Sequence, residues 1–106
     1  MPNGQVKNHS SRDLWVVEDD TGSPIAHKLA PNRQSPEGTD ADGFRAVDGT
    51  PVGGHPSWMK LVDLCTADVH DSGDELSYDA LLCTGVDDHT FGDVQFDPSP
   101  GWGVPI

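Results

Sequence analysis

Apolar and polar residues alternate with a period of two in the clearest stretches of this chain, which is the pattern of strands with one buried face. The run DLWVVE over residues 13–18 is short, rich in Val and Trp, and ends at the turn-forming cluster DDTGS. After it, PIAHKLA sets Ile25, His27 and Leu29 on one side and Ala26 and Lys28 on the other. Residues 13–30 therefore read as a β-hairpin.

A second hairpin is expected further along. SWMKLVDLCTADVH (57–70) and LSYDALLCTGV (76–86) flank the turn DSGDE. Trp58, Leu61, Val62 and Cys65 also recur at intervals of three and four, so 57–70 fits a short helix as well. Val, Thr and Asp are weak helix formers and the partner run alternates, which favours strand. If His70 faces Tyr78, Cys65 stands opposite Cys83 and the two can form a disulfide; a shift of register separates them.

Between the hairpins, residues 31–56 read as a long irregular loop, of the kind that is usually functional or disordered. Inside it FRAV, Asp48-Gly49 and TPVG suggest a small hairpin on a type I′ turn, with Pro51 confining the second strand to an edge. Residues 91–106 carry one strand candidate, Val94 to Phe96, and a Pro/Gly tail that Trp102 can anchor. The expectation is a single all-β domain over residues 1–106, with flexible segments at 1–8 and 97–106. Its architecture is a small antiparallel β-sandwich or partly open barrel of about five to seven short strands. DLWVV, with LAPNRQSP after the second strand, resembles the opening of secreted β-sandwich families such as the thaumatin-like proteins. Those families are disulfide-dense and this chain has two cysteines, so the resemblance implies the fold class and no site residue.

Composition narrows the partners. An apolar content of 34% and a net charge of −12 push toward disorder, whereas three tryptophans and two apolar runs argue for a folded core. Six Lys and Arg against eighteen Asp and Glu cannot neutralise a phosphate backbone, so nucleic acid is excluded as a charge-driven partner. An anionic membrane surface repels the chain for the same reason. Cations and basic protein surfaces remain. No apolar leader follows the N-terminus and no run is long enough to span a bilayer, so the cytoplasm is the default compartment unless an unconventional route exports the protein.

The candidate chemistry sits mainly in TDADGFRAVDG (39–49). Asp40 and Asp42 are candidate ligands for a divalent cation, calcium by their oxygen chemistry. The EF-hand pattern fails, because the fifth position from Asp40 is Phe44. Asp48 is explained by turn chemistry, which also competes for Asp40 and Asp42. The five histidines form no zinc signature, and His70-Asp71 and Asp87-Asp88-His89 are neighbours of the kind an acidic chain produces by chance. His55 and Trp58, where the loop meets the second hairpin, are candidates for contacting a ligand such as a glycan; core packing is the competing role for Trp58. No nucleophile motif is present. The leading expectation is a non-enzymatic acidic binding module, with calcium ordering the loop. The alternatives are an immunity- or inhibitor-type protein whose acidic face blocks a basic toxin or nuclease site, and a metal-dependent enzyme.

Overall fold

The computed structural model describes residues 4–18, 23–61, 65–81, 86–88 and 91–106. Over these residues eleven strands run in chain order: β1 (Gln5–Asn8), β2 (Leu14–Glu18), β3 (Ile25–Leu29), β4 (Arg33–Gln34), β5 (Ala41–Ala46), β6 (Met59–Leu61), β7 (Thr66–Ser72), β8 (Glu75–Leu81), β9 (Val86–Asp88), β10 (Gln95–Asp97) and β11 (Val104–Pro105). They form two sheets, a five-stranded one in the order β11-β4-β1-β7-β8 and a six-stranded one in the order β10-β3-β2-β5-β6-β9. The sheets pack face to face as a small β-sandwich, and neither closes into a barrel. No helix among the described residues is long and apolar enough to cross a membrane.

The core between the sheets is built from alternate residues, among them Leu14, Val16, Leu29, Phe44, Val69 and Leu76. The six-stranded sheet is covered on its other face too. Val17 and Ala26 are buried there beneath Trp58 and Phe91. Gly43 makes this cover possible, because a Cβ at that position would lie 2.6 Å from the Phe91 ring and 2.7 Å from the Met59 carbonyl oxygen. A strand with both faces covered reads as a continuous apolar run, which is why LWVV does not alternate cleanly.

The 13–30 hairpin forms as expected, with Leu14 opposite Leu29 and Glu18 opposite Ile25. Several other expectations are corrected. The sandwich is mixed rather than antiparallel, since β1 runs parallel to β7 and β10 parallel to β3. Gln5–Asn8, expected within a flexible segment, is a central strand with Val6 and Asn8 fully buried. The 31–56 loop is divided by β4 and β5. FRAV does not fold back on TPVG, because β5 already has β2 and β6 on its two sides. Asp48-Gly49 is not a type I′ pair either: Gly49 has φ 84°, whereas among the described residues Asn32 alone of the non-glycines has positive φ. The run 57–70 is strand in both its described parts, yet β6 joins one sheet and β7 the other.

In the β7–β8 ladder His70 faces Ser77 and Val69 faces Tyr78, one residue away from the pairing assumed from the sequence. Cys65 is buried and disulfide-bonded, while Cys83 lies outside the described residues. The C-terminal segment crosses from β10 in one sheet to β11 in the other. The Arg33 guanidinium holds it by donating to the carbonyls of Gly101, Trp102 and Gly103 at 3.2, 3.3 and 2.7 Å. The Trp102 ring stacks on His27 at 4.6 Å with 5° between planes, so the sequence-expected anchor is in place.

Asn8 joins the two sheets. Its amide nitrogen donates to the carbonyls of Arg12 and of Leu29 in β3, at 2.8 and 3.0 Å. Its oxygen accepts from the backbone N–H and the hydroxyl of Ser10, at 3.0 and 2.6 Å. Every donor and acceptor of the buried amide is thereby used. Asn8→Asp keeps the shape and replaces both donors with an acceptor facing two carbonyls, so it is expected to lower the unfolding free energy by at least about 2 kcal/mol in urea titration.

Candidate functional site

The carboxylates of TDADGFRAVDG occupy three different local settings. Asp40 accepts the Gly4 N–H at 3.0 Å and so fixes the approach to β1. Val17 pairs with Gly43 and Glu18 with Ala41, which leaves Asp42 as the extra residue of a β-bulge. Asp48 accepts from the Thr50 hydroxyl and N–H at 2.6 and 2.9 Å, and pairs with Arg12 at 2.7 Å. These contacts are turn, bulge and edge chemistry. Among the described residues, no three His, Cys, Asp or Glu side chains come together as a group that would hold a metal ion.

Trp58 is 6% exposed. Phe91 meets it edge-on at 5.7 Å, Phe96 stacks on it at 6.2 Å, and the Arg45 guanidinium lies 5.4 Å above its ring. In these contacts Trp58 packs as part of the cover over the six-stranded sheet. His55 is exposed, and its backbone exchanges hydrogen bonds with Val52 in a tight loop. The two described surface depressions carry little chemistry. One of about 310 Å³ has Glu37 as its single ionisable side chain. The other, about 280 Å³, holds Arg12, Asp13 and Asp48, of which Arg12 and Asp48 are already paired.

The side chains that do gather lie on the outer face of the five-stranded sheet. Ala67 and Val69 turn inward, so alternation turns Thr66, Asp68 and His70 outward on β7. On β8, Leu76 is buried and Glu75, Ser77 and Asp79 take the opposite side. Register then sets Lys7 beside Asp68 and Asp68 directly opposite Asp79. Like charges facing each other across a strand pair destabilise it. Two imidazoles flank the pair, His9 Nε2 at 3.8 Å from Asp68 Oδ1 and His70 Nε2 at 3.4 Å from Asp79 Oδ2. His70 Nδ1 lies 3.2 Å from the Asp71 carbonyl, and Asp71 in turn accepts from the N–H and hydroxyl of Ser11, both at 3.1 Å. Asp68 Oδ1 is buried without a hydrogen-bond partner. The turn adds Asp74 and Glu75, both exposed.

His70 stands beside Asp71 in the sequence, but the carboxylate its ring faces is Asp79 on the next strand. His9, Asp68 and Asp79 are not legible as a group, because strand pairing brings them together. One signal was available. Ten of the eighteen carboxylates and none of the six Lys and Arg follow Lys60, and five of those ten are Asp68, Asp71, Asp74, Glu75 and Asp79 on this one hairpin. Compared with known protein families, characterised proteins and solved structures, the chain matches none.

The clearest electrostatic perturbation lies elsewhere, at Asp48. The Thr50 hydroxyl, then the Thr50 N–H and Arg12, pull its carboxyl from 3.8 to about 2. A depressed carboxyl stabilises the fold above its unfolded value and loses that contribution as pH falls toward about 2. Thr50→Val is expected to move the Asp48 titration, followed by carboxyl carbon NMR, back toward 3.8.

Proposed function

We propose that the protein is a non-enzymatic binding module that docks a Lys- and Arg-rich protein surface on the β7–β8 hairpin. What carries this reading is the concentration of charge: five carboxylates on one hairpin at a sheet edge, three of them (Asp68, Glu75 and Asp79) on its outer face, in a stretch of chain without Lys or Arg. A regular two-stranded ladder holds these groups in fixed positions, so little side-chain or loop ordering is lost when a partner docks. Charge of one sign focused on one face raises the rate of encounter with a basic partner and repels acidic ones. An inhibitor that covers a basic cleft is one use of such a face. A glycan platform at Trp58 loses support from the burial of that ring.

The test compares two sets of three neutralised carboxylates. Asp74→Asn with Glu75→Gln and Asp79→Asn removes charge from the hairpin; Glu37→Gln with Asp93→Asn and Asp97→Asn removes the same charge elsewhere. With an oligolysine peptide as probe at physiological salt, the first set is expected to weaken binding by about tenfold and the second by less than about twofold. Equal weakening by both sets means that net charge acts alone, and the hairpin is then no site.

A further inference from the structure

Two imidazoles stand inside the proposed docking face and compete for the same carboxylates. We propose that docking on this face is proton-gated, with His9 and His70 as the gate; the inference rests on the docking reading above. The geometry supplies the competition. A basic side chain of a partner would reach the open carboxylate of Asp79 and the exposed part of Asp68, whose Oδ1 is buried; His70 Nε2 faces Asp79 at 3.4 Å and His9 Nε2 faces the Asp68 Oδ1 at 3.8 Å. A carbonyl oxygen only accepts, so the 3.2 Å contact of His70 Nδ1 with the Asp71 carbonyl needs a proton on Nδ1. Nε2 of the neutral ring then turns a lone pair toward Asp79. A second proton converts that contact into a charge-assisted hydrogen bond.

The two charge states of the face therefore differ in what they offer. With both rings neutral, Asp68 and Asp79 lie opposite each other with Lys7 beside Asp68, and Glu75 adds to the negative field from β8. Asp71 is held by Ser11 and stays in place in both states. With both rings protonated, two positive charges enter the face at the carboxylates themselves and take the place of the partner's cations. Both rings are partly exposed, at 42% and 41% of the side chain, so protons reach them without unfolding. Imidazole is the side chain that changes charge between about pH 5 and 8, whereas the Lys of a partner does not.

Oligolysine binding measured by calorimetry tests the gate. The wild-type chain is expected to bind at least about fivefold more weakly at pH 5.5 than at pH 7.5. His9→Gln with His70→Gln is expected to retain the pH 7.5 affinity and lose the pH dependence, while His55→Gln retains both. Near pH 6.5 the wild type is expected to release protons on binding, seen as a heat that varies with the ionisation enthalpy of the buffer, and the double variant is expected to release none. Undiminished pH dependence in the double variant, or its loss in His55→Gln, overturns the gate. Binding at pH 7.5 that is the same at pH 5.5 overturns the gate and leaves the docking reading standing. No binding at pH 7.5 overturns the docking reading itself.

Discussion

The amide of Asn8 is the contact on which the arrangement of the two sheets depends. It sits fully buried on β1, at the centre of the five-stranded sheet, and reaches the Leu29 carbonyl of the other sheet. An apolar residue at this point would fill the space but take the Asn8 donor from the buried Leu29 carbonyl, a cost of about 1–3 kcal/mol, and leave the Arg12 carbonyl with the Ser10 hydroxyl alone. The completed network also fixes the register of β1. Register matters because β7 pairs in parallel with β1, residue by residue from Gln5 with Thr66 to Asn8 with Val69. A slip by one residue would turn Asp68 and His70 inward and Val69 outward.

The acidic face follows from that frame. The order β1-β7-β8 sends the last long strand to the sheet edge, so Asp68, Glu75 and Asp79 share the outer face of the hairpin at that edge. At the other side of the sandwich the C-terminal segment joins the sheets through Arg33, His27 and Trp102. Asp97 contributes there: its carboxyl is held below the ordinary range by the Ser99 hydroxyl and N–H, with His27 adding to the effect. Asp97 of the tail thus serves local structure, whereas Asp74, Glu75 and Asp79 on the hairpin are exposed.

The sandwich class and the first hairpin were legible because Leu14, Val16 and Leu29 announce a buried face and DDTGS a turn between adjacent strands. Contacts between neighbours in sequence leave such local marks. The parallel pairing of β1 with β7 leaves none, since the two strands are separated by about sixty residues and β1 buries only Val6 and a polar Asn8. The sequence left Trp58 open between core packing and ligand contact for a related reason. Its cover comes from Phe91 and Phe96, which reach it only after the chain passes over the six-stranded sheet. The absence of Lys and Arg after Lys60 was visible from the start; the strand register needed to turn it into a face was not.

The central claim is that this protein meets a basic partner through one face rather than through its overall charge. Backbone amide chemical-shift mapping during an oligolysine titration tests it most directly. The account predicts perturbations concentrated on His9, on residues 66–80 and at Lys7, with Glu37, Asp93 and the outer side of the six-stranded sheet unmoved. Shifts of similar size spread over the acidic residues of both sheets would contradict it.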